Sequence, residues 1–415
     1  MSSPGFDNVV TFGCRLNIYE SEIIRGYVGK RDDVIVVNSC AVTAEAERQV
    51  RQTIRKLRRE HPLKEIVVTG CAAQIAPEKF RAMPEVSRIV GNGEKTKAES
   101  YLAEGDVISD AATLKNLSPH MAPAFDGRTR AFLEVQNGCD HRCTFCVIPF
   151  GRGDSRSSPA GAVVERVRRL VEQGYKEVVL TGVDVSGYGG DLPGAPTLGM
   201  LIKRILAHVP ELPRLRLSSI DVAEVDKDIW DAAANEPRFM PYFHLSLQAG
   251  DDMILKRMKR RHSRADALRF CAEMRKIRPE TGFGADVIAG FPTETDEMFL
   301  NTLRLTEEAE LHYLHVFPYS AREGTPAAKM PQVPKPVRKE RAAKLREAGD
   351  KNRAAFLRAH VGKELEILAE ADDAGRSPSF IPATLPKGTA PGSISRYRVI
   401  GTDGQRVACD AHPLF

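Results

Sequence analysis

Three of the eight cysteines of this chain lie on one short loop. Cys139, Cys143 and Cys146 stand in the segment GCDHRCTFCVIP, with the spacing C-x3-C-x2-C. Three thiolates on such a loop can bind three irons of a 4Fe–4S cluster, which leaves the fourth iron without a protein ligand. Because an open iron can bind a reactant, the spacing predicts an iron–sulfur centre that takes part in chemistry.

Zinc is the alternative metal for the same loop, since His141 offers a fourth ligand for a tetrahedral site. His141 stands between the cysteines, where we expect its ring to point in the wrong direction to close the tetrahedron. A third interpretation is that the three cysteines only fill the core. The spacing favours the iron–sulfur cluster over both alternatives.

Three further cysteines occupy equivalent places early in the chain. Cys14, Cys40 and Cys71 each follow a predicted apolar strand by no more than two residues. The strands are Val9–Phe12, Val34–Ser39 and Glu65–Gly70. Since the carboxyl ends of parallel strands border a common crevice, we expect the three thiols to meet there and hold a second 4Fe–4S cluster with one open iron. The other interpretation is three unrelated buried cysteines, which are common in cores.

An α/β fold is predicted to position these cysteines. In residues 1–92 short strands alternate with helices, as in a small parallel-sheet domain. One helix is predicted over 43–60, with Thr43 as its N-cap and an apolar stripe that includes Val50 and Ile54. Residues 93–128 show weak periodicity and are interpreted as a connector.

Residues 129–353 are predicted to form a partial (β/α) barrel. Six apolar strand patterns alternate with helical ones, and they lie at 131–136, 177–183, 214–220, 242–247, 283–290 and 312–318. In such barrels the functional residues concentrate at the carboxyl ends of the strands. Residues 354–415 contain short alternating runs separated by Gly and Pro, which indicates a small β-barrel.

The composition is compatible with a globular protein that binds RNA. The 415 residues include 60 Lys and Arg against 55 Asp and Glu, a net charge of +5. No run of apolar residues is long enough to span a membrane, and the N-terminus lacks the pattern of a signal peptide, so we expect a cytoplasmic protein without a membrane partner. Two basic runs are candidate RNA contacts, with a merely solvated face as the alternative. They are Arg48, Arg51, Arg55, Arg58 and Arg59, and Lys256, Arg257, Lys259, Arg260 and Arg261.

The cysteine motifs resemble those of a known enzyme family. The C-x3-C-x2-C loop with Phe145 before its last cysteine is similar to the signature of the radical S-adenosylmethionine superfamily. The segments TFGCRLNIYESE, VVNSCAVT and VTGCAAQ resemble the three N-terminal motifs of its methylthiotransferases, and GKELEILAE and RVIGTDGQRVACD resemble the ends of their TRAM domain. Two departures are Ser39, where Thr is usual, and a short segment between Cys14 and Cys40, which predicts a trimmed helix over 19–29.

The resemblance implies a radical reaction that depends on two 4Fe–4S clusters and S-adenosylmethionine. The cluster at Cys139, Cys143 and Cys146 would pass an electron to S-adenosylmethionine and release a 5′-deoxyadenosyl radical. The cluster at Cys14, Cys40 and Cys71 would carry the sulfur that is inserted. The implied partners are tRNA and a small electron donor of the flavodoxin or ferredoxin type, and not DNA.

Several side chains are candidates for binding the cofactor or the substrate. Polar groups near the strand ends, and a DVIAGFPTET segment that resembles the adenine-contact segment of the superfamily, are predicted to contact S-adenosylmethionine. The predicted contacts with S-adenosylmethionine are Phe145, Ser219, Gln248, Asp286, Ile288 and Gly290. Arg152 and Arg156 follow the cysteine loop and are predicted to grip a phosphate or carboxylate of the substrate.

Four segments resemble the subgroup that acts on N6-threonylcarbamoyladenosine in tRNA. They are the Asn17–Tyr19–Glu20 pattern, the Ala41–Val42–Thr43 run, GRGDSRS and HVFPYSAREGTPAA. The alternatives are N6-isopentenyladenosine in tRNA and an aspartate of a ribosomal protein. Two further alternatives are an iron–sulfur sensor that binds RNA without modifying it, and a radical enzyme whose second cluster has four ligands and relays electrons.

Overall fold

A computed structural model describes residues 7–115, 117 and 128–410 of the chain. The first sheet has four parallel strands in the order β1-β2-β3-β4. They are β1 (Val9–Thr11), β2 (Val34–Ser39), β3 (Glu65–Gly70) and β4 (Arg88–Ile89). The helices of this part are α1 (Arg15–Val28), α2 (Ala44–Glu60), α3 (Cys71–Ile75) and α4 (Pro77–Arg81). The predicted bounds of β2 and β3 are confirmed.

Helix α2 begins where the sequence predicted. The Thr43 side chain accepts the Ala46 N–H at 3.1 Å and so satisfies one of the free donors of the first turn. Val50, Ile54 and Leu57 are buried against the sheet. The apolar stripe that predicted this helix is therefore the face that packs on the sheet.

Helix α1 is longer than predicted. Instead of a trimmed helix over 19–29, it spans 14 residues and begins directly after Cys14. Its two faces serve different cores: Leu16 and Ile23 pack into the barrel, whereas Ile24 and Val28 pack on the first sheet. Because both faces are buried, every turn of the helix contributes to packing. The short segment between Cys14 and Cys40 therefore does not shorten the helix.

Part of the predicted connector is packed against the first sheet. Val90 and Val107 form a parallel backbone bridge, and the side chains of Lys95 and Tyr101 are buried. Residues 98–101 and 111–113 form short 3-10 helices. The remainder of the connector, at 116 and 118–127, lies outside the described residues.

Six parallel strands form the predicted partial barrel. They are β5 (Arg130–Glu134), β8 (Glu177–Thr181), β9 (Arg214–Leu217), β10 (Tyr242–Gln248), β11 (Gly282–Ala289) and β12 (Tyr313–Pro318), and β6 (Gln136–Asn137) pairs with β7 (Arg156–Ser157) beside them. The order is β5-β8-β9 and β10-β11-β12, and backbone bridges at Leu215–Phe239 and Ile220–Leu245 join the two halves. The helices are α5 (Ile148–Arg152), α6 (Ala160–Glu172), α7 (Leu198–His208), α8 (Lys227–Asn235), α9 (Asp252–Met258), α10 (Arg264–Ile277), α11 (Asp296–Glu308) and α12 (Lys335–Arg358).

The tail is the predicted small β-barrel. Its strands are β13 (Glu364–Ala371), β14 (Ala374–Arg376), β15 (Pro382–Thr384), β16 (Ile394–Thr402) and β17 (Val407–Cys409), closed in the order β13-β14-β15-β17-β16. Arg214 and Arg216, at the amino end of β9, donate to the backbone oxygens of Arg376 and Pro378 at 3.1 and 2.9 Å. The tail therefore docks at the end of the barrel opposite to the carboxyl ends of the strands.

Helix α12 crosses the predicted boundary at residue 353 and ends at Arg358. Leu357, near the end of this helix, is buried in the core of the tail barrel. Among the described residues, no helix combines the length and the apolar character that crossing a bilayer requires.

Candidate active site

The three N-terminal cysteines lie at one edge of the first sheet. Cys14 caps the amino end of α1, Cys40 follows β2, and Cys71 opens α3 directly after β3. Because β1, β2 and β3 are parallel, the three residues come to the same end of the sheet. Gly13 adopts φ +99°, and a Cβ atom there would lie 3.0 Å from Cys40 Sγ. Glycine in this turn keeps the space beside that sulfur open.

A buried arginine lies next to these thiols. Arg152 Nε donates to Cys71 Sγ at 3.2 Å, and both Nη atoms bind the Glu20 carboxylate. Lys95 Nζ lies 2.6 Å from Glu20 Oε2, and the three charged side chains are at most 2% exposed. Although burial by itself raises the pKa of Glu20, Arg152 and Lys95 hold it below its ordinary value. The positive charge beside Cys71 suits a thiolate that binds metal.

The surroundings of Arg152 and Arg156 differ from those predicted for substrate contacts. Arg152 is engaged by Glu20 and by Asn17 Oδ1 at 2.7 Å. Arg156 is buried and donates to the backbone oxygens of Asp154 and Arg152 at 2.7 and 2.9 Å. The segment that follows the loop with Cys139, Cys143 and Cys146 folds inward between the first sheet and the barrel. Both guanidinium groups are therefore part of that interface, and neither lines the cavity described below.

The second cysteine loop lies at the carboxyl ends of the first barrel strands. Gly138 adopts φ +76°, and a Cβ atom there would clash with the Asp154 carbonyl oxygen, so the turn before Cys139 requires glycine. Cys146 Sγ accepts the Ile148 N–H at 3.4 Å. A backbone donor to this sulfur stabilises its thiolate form.

His141 is engaged by carboxylates. Its Nε2 atom lies 2.8 Å from Asp184 Oδ2 and 3.6 Å from Glu224 Oε1. The interaction with the Asp184 and Glu224 carboxylates raises the pKa of His141 to about 10. The imidazole also lies close to Cys139, because the Cys139 sulfur is 3.7 Å from the same Asp184 oxygen.

Neither cysteine triad is arranged around a single ion. Among the described residues, the groups of three whose ligand atoms all lie within 4.8 Å of one another are Cys139–His141–Asp184 and His244–Asp286–His315. The thiolates of a 4Fe–4S cluster bind separate irons and need not meet at one point. Burial raises the pKa of Cys40 and of Cys146 to about 11, so these thiols would lose their protons as metal binds. The donor sets thus fit two clusters.

A cavity of about 610 Å³ opens between the first sheet and the barrel. Cys14 and Cys40 line it on the side of the sheet. Five of the six predicted S-adenosylmethionine contacts line it on the side of the barrel: Phe145, Ser219, Gln248, Asp286 and Ile288. The structure therefore brings the predicted cofactor residues and two of the N-terminal cysteines to one space.

Gly290 is the predicted cofactor residue that does not line the cavity. It adopts φ +71°, and a Cβ atom there would clash with the Arg338 side chain of α12. Its N–H donates to Glu294 Oε1 at 3.0 Å. The glycine allows close packing of α12, and its contact with S-adenosylmethionine stays a prediction.

The cavity residues that the sequence analysis missed include three with charged or titratable side chains, Arg15, His244 and His315. Asp286 Oδ1 lies 3.1 Å from His244 Nε2 and 3.2 Å from His315 Nδ1. Burial would raise the pKa of Asp286, but these two imidazoles hold it well below its ordinary range. His244 lies four residues before Gln248 in β10, but a register shift between Leu245 and Gln248 interrupts the side-chain alternation that could have indicated it.

The basic runs are partly internal. The Arg260 side chain is 8% exposed; its Nη2 lies 2.9 Å from Asp221 Oδ2, and its Nη1 lies 3.7 Å from Cys143 Sγ. Arg58 donates to the backbone oxygen of Glu85 at 2.8 Å. These two arginines contact protein groups, and their assignment to RNA stays a prediction.

Two family models match this chain. Residues 133–306 match the Radical SAM superfamily, and residues 8–91 match the model described as Uncharacterized protein family UPF0004. Among solved structures, TsrM from Kitasatospora setae has a TM-score of 0.51 at 17% identity, over 74% of this chain and 66% of that chain. OxsB has a TM-score of 0.50 at 14% identity, over 81% and 50%. Both likenesses confirm the predicted fold.

Curated relatives match over nearly the full length. "Threonylcarbamoyladenosine tRNA methylthiotransferase MtaB" of Rickettsia prowazekii is 53% identical over 97% of this chain and 96% of that protein. The protein of the same name from Thermotoga maritima is 36% identical, over 87% and 86%. "tRNA-2-methylthio-N(6)-dimethylallyladenosine synthase" of Erythrobacter litoralis is 34% identical, over 89% and 87%. This chain therefore belongs to the radical S-adenosylmethionine methylthiotransferase family.

Proposed function

We propose that this enzyme transfers a methylthio group to carbon 2 of the adenine of N6-threonylcarbamoyladenosine in tRNA, with the help of two 4Fe–4S clusters. The observation that carries the proposal is the shared cavity, in which Cys14 and Cys40 face the predicted S-adenosylmethionine contacts. The relative named for this substrate is 53% identical, whereas the one named for dimethylallyladenosine is 34% identical. This difference favours the threonylcarbamoyl substrate.

The reacting carbon–hydrogen bond is unactivated, so the chemistry has to come from a cofactor. S-adenosylmethionine bound at the Cys139, Cys143 and Cys146 site supplies a radical that can remove this hydrogen. The protein then has to hold the reactants in a fixed arrangement. In our proposal Ser219, Gln248 and Asp286 orient S-adenosylmethionine at the strand ends.

The wall of the cavity that belongs to the first sheet would hold the sulfur that is transferred. In this proposal Cys14, Cys40 and Cys71 bind the second cluster. Arg152 holds the Cys71 thiolate in place through a hydrogen bond. The target adenine has to leave its stack to enter the cavity. The proposed partners are tRNA and a small electron-donor protein, and the proposed location is the cytoplasm, whose reducing conditions keep cysteines available as ligands.

Asp286→Asn is expected to lower the rate of S-adenosylmethionine cleavage by about ten- to a hundredfold, because it removes the charge that two imidazoles stabilise in the cavity. Anaerobic measurement of 5′-deoxyadenosine release checks this, with iron content as the control for cluster assembly. The matched control is Asp231→Asn, which alters an exposed carboxylate of α8. A D286N rate equal to that of this control would remove Asp286 from the cofactor site.

Mass spectrometry of nucleosides from total tRNA tests the substrate. In cells that lack the gene we expect 2-methylthio-N6-threonylcarbamoyladenosine to disappear and its precursor without the methylthio group to accumulate. Restoring the gene should restore the nucleoside. An unchanged level, with loss of the isopentenyl counterpart or of ribosomal-protein modification instead, would assign the chain to another substrate.

A further inference from the structure

Arg15 is a cation on the wall of the cavity that leaves most of its donors unused. It is the first residue of α1 and lines the cavity beside Cys14. Its Nη1 donates to the Ser218 backbone oxygen at 2.7 Å. Within the described part of the chain this is its one hydrogen bond, and no carboxylate oxygen lies within 4.0 Å. A guanidinium group has five N–H donors in a fixed plane, so four remain for a ligand.

The surroundings of Arg15 do not neutralise it. Asp286 also lines the cavity, but its carboxylate is held by His244 and His315. A partly buried charge without a close partner is costly. An anionic group in the cavity would supply the missing partner, and a carboxylate matches the planar guanidinium with two parallel hydrogen bonds.

The chemistry of the substrate indicates which carboxylate this is. Carbon 2 and carbon 6, which bears the N6 nitrogen, flank N1 of the adenine ring. A group attached at N6 therefore lies close to the atom that has to meet the sulfur. The sulfur side of the cavity is marked by Cys14, and Arg15 is its neighbour in sequence. A threonylcarbamoyl group ends in a carboxylate, whereas an isopentenyl group carries no charge.

We infer that Arg15 binds the carboxylate of the threonylcarbamoyl group and thereby selects this nucleoside over those with uncharged N6 substituents. The inference rests on the proposed function. It gives Arg15 the role that the sequence analysis had assigned to Arg152 and Arg156, which are committed to the interface.

The test compares Arg15→Gln and Arg15→Lys with the unaltered enzyme on two anticodon stem-loop RNAs. One RNA carries N6-threonylcarbamoyladenosine, and the other carries its methyl ester, in which the carboxylate is neutral. For R15Q we expect kcat/KM on the acid to fall about ten- to a hundredfold, with little change on the ester. R15K keeps the positive charge but lacks the planar guanidinium group. Its kcat/KM on the acid should lie between that of the unaltered enzyme and that of R15Q. Fluorescence anisotropy of the same RNAs reports binding without turnover.

Lys30→Gln is the matched control, since it removes an exposed cation just beyond the other end of α1. We expect it to leave both substrates unaffected. Equal losses on acid and ester in R15Q would overturn the inference, because the arginine would then act on something common to both. A raised KM for S-adenosylmethionine with an unchanged preference for the acid would assign Arg15 to the cofactor and also overturn it. Failure of the unaltered enzyme on both RNAs, with activity on an isopentenyl RNA, would overturn the proposed function and this inference with it.

Discussion

Replacement of Cys14, Cys40 and Cys71 by alanine is expected to abolish methylthiolation while 5′-deoxyadenosine formation continues. The three thiols gather at the carboxyl edge of the first sheet, whereas in our proposal the site that cleaves S-adenosylmethionine depends on Cys139, Cys143 and Cys146. Loss of one triad therefore removes the proposed sulfur site and leaves the other. Bound iron should fall from about eight to about four atoms per chain.

The measurements are iron and sulfide content after anaerobic reconstitution, 5′-deoxyadenosine release, and mass spectrometry of the RNA product. The reciprocal variant, with the other three cysteines replaced, should lose both activities. Cys271→Ala is the matched control, because Cys271 is buried in the barrel core, away from both triads. Full iron content, or retained methylthiolation, in the first variant would contradict the second cluster.

Glu20→Gln is expected to destabilise the fold by about 3–5 kcal/mol, because it leaves two buried cations without their shared carboxylate. Glu20 is bound by Arg152 and by Lys95, and all three side chains are almost fully buried. Glutamine keeps the volume but not the charge, so the effect isolates the electrostatic part. Because Arg152 also donates to Cys71, we expect the variant to retain iron less firmly at the second cluster.

Anaerobic denaturant unfolding of the metal-free protein measures the stability change, since the effect then does not depend on cluster content. The matched control is Glu165→Gln, which removes a carboxylate that bridges Arg168 and Arg169 on the exposed face of α6. We expect no measurable change for this control. A Glu20→Gln midpoint equal to that of the control would show that the buried network does not hold the sheet to the barrel.

The order of secondary-structure elements and the two cysteine triads followed from local patterns. Apolar alternation predicted β2 and β3 with their observed bounds, and Thr43 predicted the start of α2. Such signals are local because strand alternation and capping depend on residues within a few positions of one another. Cys14, Cys40 and Cys71 each follow a strand, and the loop with the other three cysteines follows the first barrel strand, so these positions were enough to place both triads at strand ends.

The roles of charged residues were decided by tertiary structure. Arg152 and Arg156 follow the cysteine loop and were predicted to contact the substrate, yet their segment turns into the interface, where Glu20 pairs with Arg152. Arg15 gave no signal beyond its place after Cys14, but α1 lies between sheet and barrel and presents it to the cavity. Whether a charge faces solvent, a partner or a ligand depends on contacts between residues far apart in sequence. The sequence therefore determined where the predicted metal ligands stand, and only the packing of the sheet against the barrel decided which arginine lines the cavity.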